Sequence, residues 1–119
     1  MSTKQNPLVS ELCRLLEDLQ GIDVQIIDVK KQTAITDYMI IASGRASRHV
    51  KAMAENIMDS MKKSGHPALS CTGLDTGDWV LLDFNEVIVH LMQSDARYFY
   101  NLEALWQGNV KDKNNRTGS

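Results

Sequence analysis

Trp79-Val80-Leu81-Leu82-Asp83-Phe84-Asn85-Glu86-Val87-Ile88-Val89-His90-Leu91-Met92 is the stretch that decides the fold. Two apolar runs of strand length flank one polar pair, Asn85-Glu86, and Asn tolerates the positive φ that a two-residue hairpin turn demands. That turn puts Phe84 opposite Val87, Leu82 opposite Val89 and Val80 opposite Leu91. Opposed residues share a face, so this face is wholly apolar and belongs against covering helices. The other face pairs Asp83 with Ile88, Leu81 with His90 and Trp79 with Met92. A sheet face left to water alternates to polar residues, yet here Trp, Leu, Ile and Met surround one carboxylate and one imidazole.

Working outward, Asp37 to Ser43 is apolar on both faces, the pattern of a central strand covered above and below or of one with an unusually apolar second face. Asp23 to Val29 predicts a shorter strand before it, and Ala68 to Thr72 a weaker one before the Gly73-Leu74-Asp75-Thr76-Gly77 turn. Leu8, Leu12, Leu15, Leu16 and Leu19 repeat at helical spacing, with Asn6 as N-cap, Pro7 in the first turn and Gly21 as the stop. Val50, Met53, Ala54, Ile57, Met58 and Met61 stripe a second helix, entered through Ser43-Gly44-Arg45-Ala46-Ser47. A third helix begins at Ser94 or Asp95, with Tyr98, Phe99, Leu102, Leu105 and Trp106 on one face. The order α-β-β-α-β-β-β-α predicts an α/β domain with a mixed five-stranded sheet and three helices mainly on one face. Three helices cover one face of five strands but hardly two, which leaves the Trp79 face for a partner. Residues 1–106 make this single domain, and the polar segment 107–119 reads as a disordered tail.

Composition narrows the function. The chain has 119 residues, 43% of them apolar, and no apolar run of membrane-spanning length. With no signal-peptide layout and only Cys13 and Cys71, far apart in sequence, it reads as a reduced, cytoplasmic protein without structural zinc or disulfides. Its net charge of −2 is unevenly spread. Residues 30–63 hold seven Lys and Arg against three acids, whereas residues 72–106 hold one Arg against six acids. So acidic a C-terminal part repels phosphate and attracts a basic surface, which argues against a free-standing nucleic-acid binder.

No catalytic constellation emerges. A glycine-serine turn before a helix suits an anion and also occurs in nucleotidyltransferases, but their metal-binding carboxylate pair has no counterpart here. The next acid after Ser47 is Glu55, in mid-helix, and no Asp-x-Asp occurs. His49, His66 and His90 have no partner at ligand or triad spacing, and both cysteines read as inert packing. No metal site, cofactor site or catalytic residue is therefore expected.

Several strings, taken in order, carry a resemblance. Thr36-Asp37-Tyr38-Met39-Ile40-Ile41-Ala42-Ser43-Gly44 and Ser47-Arg48-His49-Val50-Lys51-Ala52 open it. Gly73-Leu74, Trp79 to Asp83, Val87 to His90 and Arg97 to Trp106 continue it. Over about residues 8 to 107 the chain resembles the ribosomal silencing factor family (RsfS, Iojap-like). That resemblance implies a nucleotidyltransferase-like fold without the catalytic carboxylates. It also implies a non-enzymatic repressor that binds the large ribosomal subunit through ribosomal protein L-fourteen and sterically blocks joining of the small subunit when nutrients are short. One departure is visible: the family turn is usually Gly-Asp, and here it is Asn85-Glu86.

Trp79, Asp83 and His90 are carried over at matching positions, and the face argument adds Leu81, Ile88 and Met92. Arg97 and Tyr100, off the apolar stripe of the last helix, rim the same patch. Acids at 75, 78, 83 and 86 would steer a basic partner. Two rival readings stay open, a divergent nucleotidyltransferase-fold enzyme and a homodimeric adaptor using the Trp79 face. The free form is a monomer or a weak homodimer. Arg48 and Lys51 could touch ribosomal RNA at the periphery, although a solvated helix flank is the simpler reading of them.

Overall fold

The structure, a computed structural model, describes residues 6–95. Within them, α1 (Pro7–Asp18), β1 (Ile22–Asp28), β2 (Tyr38–Gly44), α2 (Ser47–Lys63), β3 (Ser70–Thr72), β4 (Trp79–Asp83) and β5 (Val87–Gln93) follow in order. The strands form one sheet in the order β1-β2-β5-β4-β3. Only the β2–β5 pair is parallel. The chain leaves β2, runs through α2, lays β3 at the far edge and β4 beside it, and returns through the hairpin to place β5 against β2. Burial explains the choice of neighbours: all seven residues of β2 are buried, and six of seven in β5. The two most apolar strands lie side by side in the interior, while the short and polar Ser70–Thr72 takes an edge.

Both helices pack on one face of the sheet. Val9, Leu12, Leu15 and Leu16 of α1 and Val50, Met53, Ala54, Ile57 and Met61 of α2 join Ile40, Ala42, Val80, Leu82, Val89 and Leu91 in one core. Gly44 lets α2 approach, because a β-carbon there would come within 2.7 Å of Val50 Cγ2. Asn6 starts α1 as expected, its Oδ1 accepting from the Leu8 and Val9 amides at 3.0 and 3.2 Å. Its Nδ2 donates to Glu86 Oε1 at 3.3 Å, which ties the helix start to the hairpin turn. The N-cap of α2 is Ala46, which has no side-chain cap. His49 serves the incoming chain instead: its Nδ1 accepts from the Arg45 amide at 3.0 Å, and its Nε2–H donates to the Leu19 carbonyl at 3.0 Å. The ring thereby clamps the start of α2 to the end of α1.

Several expectations need correction. The described residues contain two helices rather than three, and no nucleotidyltransferase-like features. The expected continuation of a third helix beyond Asp95, with Arg97 and Tyr100, and the tail 107–119 lie outside the described residues. β3 begins at Ser70 rather than Ala68, and β1 spans Ile22–Asp28, with an irregular register between Ile22 and Gln25 where Asp23 has φ +52°. Among the described residues no helix is long and apolar enough to cross a membrane.

The end of α1 differs in an instructive way. Gly21 was expected as the stop, but the left-handed residue is Gln20, at φ +64°. The Gln20 amide bonds the Glu17 carbonyl at 3.0 Å and the Gly21 amide the Leu16 carbonyl at 2.7 Å, the paired closure of a Schellman motif. A β-carbon in this conformation costs roughly 1–2 kcal/mol, partly offset because glycine is freer in the unfolded chain. Gln20→Gly should therefore stabilise the protein by about 0.5–1 kcal/mol, read as a rise of a few degrees in the thermal midpoint.

Candidate partner-binding surface

The face opposite the helices is built by strand register. β4 and β5 pair Trp79 with Met92, Leu81 with His90 and Asp83 with Ile88, as the hairpin arithmetic requires. Parallel pairing then sets Ile88 beside Met39, His90 beside Ile41 and Met92 beside Ser43. β3 adds Thr72 beside Leu81 and Ser70 beside Asp83. Asn85 adopts φ +75°, its amide donates to Asp83 Oδ1 at 2.8 Å, and the Phe84 amide closes on the Val87 carbonyl at 2.8 Å. The Glu86 carbonyl accepts from both the Asp37 and Tyr38 amides, so the turn also anchors the start of β2. Asn85 and Glu86 thus form the two-residue turn in the expected register.

Exposure along this face is graded, which corrects the expectation that the whole of it lies bare. On β4, Trp79, Leu81 and Asp83 are half-buried and accessible. On β5, Ile88, His90 and Met92 are only 8%, 5% and 0% exposed. Met39 and Ile41 of β2, Ile27 of β1 and Val29 just after it form a small buried cluster of their own. The accessible part is therefore a strip along β4, bordered by the exposed Ser70 and Thr72 of β3, with the exposed Asp75 and Asp78 in the chain that leads into it. Leu69, 67% exposed, precedes β3, and its amide donates to the Asp83 carbonyl at 2.7 Å, extending the β3–β4 pairing by one bond. Sequence reasoning missed Leu69, because one apolar residue at the start of a weak strand carries no periodicity to mark it.

Gly73 supports the strip from behind. It has φ +89°, and any β-carbon there would run into the carbonyl oxygen of Trp79. Only glycine lets the loop after β3 pass this close to the start of β4. Asp78 is held by Gln93, whose Nε2 donates to its Oδ1 at 2.8 Å, and so the entry to β4 is fixed to the end of β5.

The polar member of the face is His90. The Trp79 indole N–H donates to His90 Nδ1 at 3.1 Å, with ring centroids 6.0 Å apart and planes tilted by 45°. An accepting Nδ1 puts the ring proton on Nε2, which is buried and has no hydrogen-bond partner among the described residues. Burial pushes the imidazole down to about 4. On this face β4 contributes Asp83 as its titratable group, while β2 contributes Met39, Ile41 and Ser43. Cys13, lodged against the core from α1, is driven up to about 11 by burial and then by Glu17, and burial also raises Cys71. Both are neutral thiols at physiological pH, and neither is an activated nucleophile. Among the described residues no group of three or more His, Cys, Asp or Glu could hold a metal ion.

The histidine has a consequence for stability. In the unfolded chain it titrates near 6.5, and in the folded chain near 4. Above the unfolded value both states are neutral; below it the unfolded chain takes up the proton first. Stability should fall as pH drops through this window, by up to about 3 kcal/mol. Urea midpoints measured from pH 7 to pH 4.5 should decline less steeply for His90→Phe than for the wild type.

Comparison with known proteins places these observations. Residues 2–118 match the family described as "Ribosomal silencing factor during starvation". The chain is 44% identical over 99 residues to ribosomal silencing factor RsfS of Haemophilus influenzae, covering 83% of this chain and 97% of that one. A mouse protein named mitochondrial assembly of ribosomal large subunit protein 1 is 33% identical over 101 residues, covering 82% of this chain and 44% of its own. A crystal structure of a protein from Chromobacterium violaceum superposes with a TM-score of 0.79 at 37% identity, covering 82% of this chain and 81% of the other. By sequence and by fold, the chain belongs to the ribosomal silencing factor family.

Proposed function

We propose that this protein represses translation in the cytoplasm by seating its β4 strip on the large ribosomal subunit, through ribosomal protein L-fourteen, and so obstructing the small subunit. Family membership supports the ribosomal target, since the relatives carry ribosomal silencing or ribosomal large subunit in their names. The observation that carries the reading is the strip itself: Trp79 and Leu81, accessible on one strand, with Asp83 on the same face and the exposed Asp75 and Asp78 just before it in the chain. An indole on a rigid strand is a strong anchor, since interface Trp residues often lose about 2 kcal/mol or more of binding when truncated. These acids favour a basic protein surface over ribosomal RNA and raise the rate of encounter more than the final affinity. Obstruction needs no chemistry at the site, only adhesion and bulk. Ile88, His90 and Met92 lie beside the strip on the same face of the sheet, and they are buried.

Sucrose-gradient sedimentation tests this directly. Added protein should comigrate with large subunits and reduce the fraction of joined ribosomes. Leu81→Glu should lose comigration, with the thermal midpoint changed by only a few degrees because Leu81 is half-buried. If the wild-type chain leaves subunit joining unchanged, the reading is wrong. If it self-associates through Trp79 and ignores the subunits, the homodimeric adaptor replaces it.

A further inference from the structure

We propose that His90 is a positioning residue for this surface: its ring accepts the Trp79 indole N–H and holds the indole in the pose that a ribosomal partner meets, without touching the partner. Burial separates the two roles. Trp79 is half-buried and within reach of a docking protein, whereas His90, on the same face of the neighbouring strand, is 5% exposed. Register explains how they meet: His90 sits directly opposite Leu81, one face position along from the Trp79–Met92 pair, and so reaches the indole diagonally. The bond is 3.1 Å long and requires an unprotonated Nδ1. It also leaves the Nε2 donor buried without a partner among the described residues, a penalty that an apolar side chain at this position would avoid. What an apolar side chain could not supply is an acceptor for the indole. Fixing a large aromatic before the encounter removes part of the ordering entropy that binding would otherwise have to overcome.

The binding half of this inference rests on the function proposed above, and the indole half does not. The test uses the full 119-residue chain, purified large ribosomal subunits and 15N-labelled protein. The Trp79 indole resonance is assigned by its disappearance in Trp79→Phe. His90→Phe should shift that resonance and weaken comigration with large subunits about tenfold. His90→Asn, whose Oδ1 takes the place of Nδ1, should restore both. An unmoved indole resonance or undiminished binding in His90→Phe, or an Asn variant that restores neither, overturns the proposal. Because His90→Phe could fail to fold, the wild type supplies a second measurement, a 15N–15N coupling across the hydrogen bond from Trp79 Nε1 to His90 Nδ1. Absence of that coupling also overturns it. A wild type that shows the coupling yet ignores large subunits overturns the proposed function and the partner half of this inference together, and leaves the bond itself standing.

Discussion

A slip of one residue between β4 and β5 would carry Trp79 and Leu81 under the helices and turn Val80 and Leu82 outward. Every other feature of the molecule depends on that slip being forbidden. Strand side chains alternate with a period of two, so the hairpin register decides which residues become core and which become surface. The core side enforces it strongly, since Val80, Leu82, Val89 and Leu91 are all fully buried against α1 and α2. Moving a half-buried tryptophan and an aspartate into that space would combine overpacking with a buried carboxylate.

The turn reinforces the same register from outside. Asn85 in the left-handed region brings Phe84 to Val87, and the Asp83 carboxylate caps the Asn85 amide. The turn is then shared by three elements: the Glu86 carbonyl receives two amides from the start of β2, and its side chain receives Asn6 from the start of α1. One two-residue connection thus sets the parallel β2–β5 pair in register and anchors the first helix. Shifting it would break contacts that are remote in sequence as well as those of the hairpin.

How much of this could be read in advance follows from the range of each interaction. The hairpin pairing was legible residue by residue, because a two-residue turn and strict alternation leave one solution. The burial of β2 on both faces was legible from its unbroken apolar run. The end of α1 was less so, since Gly21 completes the closure as its second residue while Gln20 takes the strained conformation, and composition alone does not separate those roles. The partner of β2 was a matter of tertiary packing, and so was the clamp made by His49 between Arg45 and Leu19. Exposure of the second face was overestimated, because alternation tells which side a residue points to and not what lies over it. His90 and Met92 point where the sequence says, and they are buried all the same.

That last difference changes what the surface is. A bare face of six contact residues would be a broad, adhesive and aggregation-prone patch. A narrow strip along β4 with buried neighbours is safer, and it concentrates contact in a few side chains, as hot-spot energetics favours. Such a strip has little area to lose to imprecision, so the pose of its largest member matters more than it would in a broad interface. Those neighbours must then do more than fill space: one must present an acceptor where the indole N–H arrives. An imidazole does this with one nitrogen while its body stays buried between the register partners Ile41 and Leu81. Burial, which makes the charged form unfavourable, is also what keeps the accepting nitrogen free at physiological pH.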